Sequence, residues 1–170
     1  YRQISAYSHN CTISDRMHSM ETLHITHLEE LHIAVEKAFT LLTAKKEQQQ
    51  AFVLAIDGEL GAGKTTFTQL LAKKLGVEVI VVSPTFVVMK FYETKEALTP
   101  LNVSQLVHID AYRIESNEEM RVLRFEEICK KDNVIICIEW AERIQALLPK
   151  NTVHMYIQSN SDESRTITFT

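Results

Sequence analysis

Phe52-Val53-Leu54-Ala55-Ile56-Asp57-Gly58-Glu59-Leu60-Gly61-Ala62-Gly63-Lys64-Thr65-Thr66-Phe67 is the stretch that decides the fold of this chain. Its first five residues are a short continuous apolar run, the pattern of a strand buried on both faces in a parallel sheet. The run stops at Asp57-Gly58, and from Gly58 onward the residues spell Gly-x-x-x-x-Gly-Lys-Thr, which fills every position of the Walker A phosphate-binding pattern. Beyond it Phe67, Leu70, Leu71 and Leu75 recur on one helical face, and Gly76 stands where a left-handed C-terminal cap belongs. Strand, glycine loop and helix therefore follow in the order a phosphate-binding loop needs. A chance glycine-rich turn would require neither neighbour.

The residue types explain the chemistry expected of this loop. Glycines let the backbone turn its N–H groups toward phosphate without side-chain clash, and the start of the following helix adds partial positive charge. Gly58, Glu59, Leu60, Gly61, Ala62, Gly63, Lys64, Thr65 and Thr66 are accordingly the candidate nucleotide-binding residues. Lys64 is expected to reach the β- and γ-phosphates. Thr65 supplies the hydroxyl expected to ligate Mg²⁺, an ion that takes hard oxygen ligands, and Thr66 is placed to help hold the α-phosphate.

Such a loop needs an acid at the end of another core strand, because parallel sheets gather ligands beyond their strand C-termini. Two acids stand at such ends. Glu139 closes the apolar run Val134-Ile135-Ile136-Cys137-Ile138, and Asp110 closes Leu106-Val107-His108-Ile109. From the residues alone either can hold Mg²⁺ or orient the attacking water, and each has the alternative of being a solvated strand-end carboxylate. Ser83-Pro84-Thr85 reads either as a switch-like loop with a hydroxyl facing the γ-phosphate or as an ordinary proline turn. Arg113 reads as a γ-phosphate arginine or as a surface partner of Glu115 or Glu118. His24, His27 and His32 cluster without the cysteine or carboxylate spacing of a zinc site.

Working outward, the chain alternates strand-like and helix-like segments. Glu-Thr-Leu-His-Ile after Met20 reads as a first strand. Thr26 with Glu29 matches a capping box, and Leu28, Leu31, Val35, Ala38, Phe39 and Leu42 follow at helical spacing before a polar Lys45–Gln50 stretch. Further strand-like runs fall at Val79–Val82, Phe86–Phe91, Leu106–Ile109 and Val134–Ile138, with helical stretches near Asn117–Lys130 and Ala141–Leu148. Val153, Met155 and Ile157, then Ile167 and Phe169, alternate with polar residues and predict a closing antiparallel pair. The fold class expected is α/β, with a mainly parallel central sheet flanked by helices and antiparallel strands at the edge.

At 170 residues, 45% apolar and 24% charged, the length suits one domain, read over residues 20–170, with residues 1–19 as a leader that is an upstream extension or a cloning remnant. The formal net charge of -4 lacks the positive bias of a protein that grips nucleic acid phosphates directly, which argues against DNA and leaves any RNA role to partners. Cys11, Cys129 and Cys137 make an odd count without disulfide-framework spacing, as expected of a reducing compartment. No run approaches the roughly 18 apolar residues of a membrane span. A cytoplasmic protein without membrane attachment is the expectation.

Four segments in order, Gly58-Glu-Leu-Gly-Ala-Gly-Lys-Thr-Thr66, Ser83-Pro-Thr-Phe86, His108-Ile-Asp-Ala-Tyr-Arg113 and Ile138-Glu-Trp140, together resemble the bacterial TsaE (YjeE) family. That resemblance implies a small ATPase of the tRNA threonylcarbamoyladenosine pathway. It would act on a two-protein threonylcarbamoyl-transferase heterodimer that modifies adenosine 37 of ANN-decoding tRNAs, and it would meet tRNA only through that complex. It implies ATP and Mg²⁺, with Lys64 on the phosphates, Thr65 and Glu139 on the metal, Asp110 as the catalytic acid, Thr85 as the switch-like threonine, and Trp140 near the nucleotide. Leu123-Arg124-Phe125 departs from the family, which often has a glycine there.

A P-loop small-molecule kinase is the main rival, since it shares the loop and one acid and adds an acceptor pocket and an arginine-bearing lid. No clear lid segment lies between Arg121 and Trp140. A GTPase would need Asn-Lys-x-Asp and Asp-x-x-Gly, and Asp110-Ala-Tyr-Arg113 lacks the glycine, so adenine is favoured. A nucleotide-dependent assembly module with slow hydrolysis as a timer overlaps with the family expectation.

Overall fold

Continuous apolar runs form the middle of the sheet and alternating runs form its ends. A computed structural model describes residues 20–47, 49–95 and 101–170, the side chain of Leu28 excepted. The leader over 1–19 and Gln48 of the polar stretch lie outside the described residues. Strands β1 (Glu21–Ile25), β2 (Phe52–Gly58), β3 (Met89–Glu93), β4 (Gln105–Asp110), β5 (Val134–Glu139), β6 (Val153–Ser159) and β7 (Arg165–Phe169) make one sheet in the order β1-β7-β6-β2-β5-β4-β3. The central four, β6, β2, β5 and β4, pair in parallel. β1 and β3 close the two edges antiparallel, and β6 pairs β7 antiparallel as the alternation predicts.

Helices cover both faces of the sheet. On one side lie α1 (Leu31–Ala44) and α2 (Lys64–Lys74), whose Leu31, Val35, Ala38, Leu42, Phe67 and Leu71 bury against Phe52, Leu54 and Ile56 of β2. On the other, Met120 of α3 (Asn117–Val122), Phe125 and Ile128 of α4 (Phe125–Cys129), and Ile144 meet Val53, Ala55, Ile136 and Ile138. Burying every residue of Phe52–Ile56 between two helical layers is what the unbroken apolar run requires. α2 ends as Gly76 suggests: Gly76 takes φ +76, its N–H reaches Lys73 O at 3.1 Å and the Val77 N–H reaches Ala72 O at 3.0 Å, a Schellman closure.

Four local expectations are corrected. The acid that reaches back at the first helix is Glu30, not Glu29. Its Oε2 accepts the Thr26 N–H at 2.9 Å and the Thr26 hydroxyl at 3.0 Å, because a 3-10 turn over Leu28–Glu30 precedes α1 and shifts the spacing by one. Val79–Val82 is no strand: Val81 alone is buried, and Gln69 Nε2 holds its carbonyl at 2.9 Å while Val79 and Ile80 face outward. Phe86 and Val87 are likewise exposed, and β3 begins only at Met89, after Val88 takes φ +63. The stretch near Asn117–Lys130 is two short helices, broken where Arg124 takes the left-handed φ of +57 that a glycine would adopt more readily.

Candidate functional site

The C-terminal ends of the central strands bring the sequence-marked residues together. β2 runs into the glycine loop, and α2 begins at Lys64 behind Gly63, whose φ of +110 turns the chain into the helix. Glu139 ends β5, and in the parallel register it lies beside Ile56 on one flank and Asp110 on the other. Trp140 adopts φ +59 and returns its N–H to Ile56 O at 3.0 Å, so the chain turns away directly after the acid.

Lys64 is only 5% exposed, and its ammonium donates to the carbonyls of Gly58 at 2.6 Å and Glu59 at 2.8 Å. The same ammonium sits 3.8 Å from the centre of the Trp140 ring, which itself stands 5.1 Å from the Tyr112 ring. Burial pushes the Lys64 pKa down, and the nearby Glu139, Glu142, Asp110 and Asp57 carboxylates oppose that drop. Trp140 thus flanks Lys64, beside the glycine loop.

The two acids take different partners. Glu139 Oε2 accepts the Thr65 hydroxyl at 2.9 Å, and its Oε1 lies 2.7 Å from His108 Nε2. Asp110 Oδ2 instead accepts Thr85 Oγ1 at 2.5 Å and Ser83 Oγ at 2.8 Å, while Oδ1 takes the Tyr112 N–H at 3.1 Å. The hydroxyls of Ser83 and Thr85 are 2.6 Å apart, so the Ser83-Pro84-Thr85 loop is folded onto the Asp110 carboxylate. Arg113 lays its guanidinium 4.8 Å from the Phe86 ring centre, next to that loop, and Glu118 pairs with Arg121 instead.

Several contributors escaped the sequence reading. His108 interrupts an apolar strand two residues before Asp110, and period-two alternation was the signal that it shares the acid's face. Arg165 of β7 donates from Nε to Ala62 O at 3.0 Å and holds the outside of the glycine loop from 103 positions away, with no local mark in the sequence. Asp57 Oδ1 accepts the Glu142 N–H at 3.0 Å, and partial desolvation together with the Asp57 hydrogen bond pushes the Glu142 carboxyl up to about 7. The span between Arg121 and Trp140, where a kinase would carry its lid, folds as α4 and β5. Among the described residues, no helix is long and apolar enough to cross a membrane.

This sheet order, with its glycine loop feeding a helix and paired acids on the neighbouring strand ends, is that of a P-loop nucleoside triphosphatase fold. The family described as "Threonylcarbamoyl adenosine biosynthesis protein TsaE" matches residues 26–167. The chain is 40% identical over 118 residues to the tRNA threonylcarbamoyladenosine biosynthesis protein TsaE of Bacillus subtilis (strain 168), covering 69% of this chain and 68% of that protein. It is 34% identical over 120 residues to the protein of the same name from Treponema pallidum, covering 71% and 82%. The crystal structure of Bacillus subtilis YdiB superposes with a TM-score of 0.62 at 31% identity, over 89% of this chain and 84% of that one. The chain belongs to the TsaE family.

Proposed function

We propose that residues 20–170 act as one Mg²⁺-dependent ATPase domain that serves threonylcarbamoyladenosine formation at position 37 of ANN-decoding tRNAs. It would act on the two-protein threonylcarbamoyl-transferase heterodimer and meet tRNA only within that complex. The observation that carries the chemical part is the 2.9 Å contact between Thr65 and Glu139, with Asp110 beside Glu139 in the sheet register. The pathway comes from the relatives, which are named for it.

The residues fit a nucleotide and its ion. Gly58 and Gly63 both take positive φ where the loop must bend, as a backbone that turns its N–H groups toward phosphate requires. Thr65 and Glu139 offer one hydroxyl and one carboxylate, the hard oxygen donors that Mg²⁺ takes alongside water. When bound, the ion would offset the charge of the β- and γ-phosphates. Gly58 through Thr66 would hold the phosphates, with Lys64 leaving its two backbone carbonyls for phosphate oxygens. Trp140 would lie against the nucleotide. Asp110 would orient or deprotonate the attacking water, and Thr85 would hold that carboxylate in place. The cytoplasm is the setting we infer, in keeping with Cys129 and Cys137 standing as buried free thiols.

Titrating the chain with ATP, ADP and GTP while following the fluorescence of Trp140, its single tryptophan, tests the binding part. Saturable quenching or enhancement by adenine nucleotides, absent in Lys64→Ala, is the expected result. Equal responses of wild type and Lys64→Ala would remove the nucleotide site. ATP consumption that yields a phosphorylated small-molecule acceptor in place of free phosphate would point to the kinase.

A further inference from the structure

We infer that His108 is a positioning residue for Glu139, fixing the plane of that carboxylate so that one oxygen faces Thr65. The inference rests on the metal role proposed above for Thr65 and Glu139.

β4 and β5 run parallel with His108 opposite Cys137 and Asp110 opposite Glu139. Period-two alternation therefore puts His108 and both acids on the face that α2 covers. Glu139 is 3% exposed and His108 is fully buried, and Nε2 of the ring lies 2.7 Å from Oε1. The other oxygen, Oε2, accepts the Thr65 hydroxyl at 2.9 Å. A carboxylate held at one oxygen turns easily about its last torsion, which has broad wells. Donors from two elements, β4 and α2, remove that freedom.

The cost of placing an imidazole there supports a purpose beyond packing. His108 Nδ1 is buried with no hydrogen-bond partner among the described residues. An orphaned buried polar atom is unfavourable, and the neighbours of His108 on the same face, Leu106 and Cys137, are apolar. The contact that offsets the penalty is the one to Glu139. Hydrogen-bond partners behind metal-ligating carboxylates act in this way, orienting the ligand without touching the ion.

Calorimetric titration of the full chain with ATP, once in Mg²⁺ and once in EDTA, separates this role from general damage. His108→Leu is expected to keep its EDTA affinity within about twofold of wild type and to lose about tenfold of the Mg²⁺-dependent gain. His108→Gln, whose amide N–H can replace Nε2–H, is expected to recover most of that gain. If His108→Leu melts below the working temperature, His108→Asn takes its place, since the shorter amide fills the volume without reaching Glu139. An undiminished Mg²⁺ gain overturns the inference, and so does an equal loss in EDTA and Mg²⁺. A wild-type chain that gains nothing from Mg²⁺ fails at an earlier point: it removes the metal role of Thr65 and Glu139, and His108's role falls with it.

Discussion

A β-carbon on Gly58 would stand 2.2 Å from the backbone carbonyl oxygen of Ile157, its neighbour on β6. The first glycine of the loop is therefore demanded by the sheet itself. Gly58→Ala meets a rigid backbone atom at a φ of +144. It is expected to lower stability by about 3 kcal/mol. Gly61 has open space around its α-carbon and only a left-handed backbone to strain, so Gly61→Ala should cost about 1 kcal/mol. Urea unfolding of both variants checks the ranking, and equal midpoints would contradict it.

Among the described residues, Lys64 is the cation that reaches both loop carbonyls and the Trp140 ring, so its loss should weaken nucleotide binding without unfolding the helix it begins. Lys64→Ala is expected to raise the ATP dissociation constant by about 10–100-fold, the value of a charge-assisted hydrogen bond. Calorimetry reads this directly. An unchanged constant would take Lys64 out of the site.

Thr85 and Ser83 both converge on Asp110 Oδ2, which predicts a graded effect on turnover. Asp110→Ala should lower kcat by about 10²–10⁴-fold with a smaller change in ATP affinity. Thr85→Ala should fall between wild type and Asp110→Ala, because Ser83 still holds the carboxylate. Equal turnover of wild type and Asp110→Ala would remove Asp110 from the mechanism.

Glu142 gives the molecule a pH dependence. Its carboxyl titrates near 7 in the folded chain, against an ordinary value of 4.5. The folded state therefore binds the proton more tightly than the unfolded chain. That contribution to stability is complete below pH about 4.5 and is lost as pH rises through about 7. The side chain remains exposed, so solvent screening keeps the effect small. Glu142→Gln should flatten the stability curve between about pH 5 and pH 8, with the larger gain at the alkaline end. Parallel curves for the two proteins would contradict the raised Glu142 carboxyl.

Much of the site was legible because its parts are local. Gly58 to Thr65 is a contiguous motif, and Asp110 and Glu139 are the first acids after apolar runs whose register then sets them side by side. What the sequence did not disclose depends on distance or on backbone φ. Arg165 reaches Ala62 across the sheet, and nothing near either residue announces the contact. Val79–Val82 has the composition of a strand, yet β4 already has its antiparallel partner in β3, and the segment is held by Gln69 and Tyr92 instead. The break at Arg124 was visible only as a departure from the family's glycine, and its reason is the left-handed conformation found there. Glu30 displaced Glu29 because one 3-10 turn changes the reach of a side chain by one position.

Free-phosphate release from ATP, measured for the purified chain alone and then with the two threonylcarbamoyl-transfer proteins and tRNA, tests the central claim most directly. Lys64→Ala serves as the blank. Slow turnover alone with strong stimulation by the complex, absent in Lys64→Ala and in Asp110→Ala, is the expected result. Turnover that ignores those proteins, or that survives in Lys64→Ala, would contradict it.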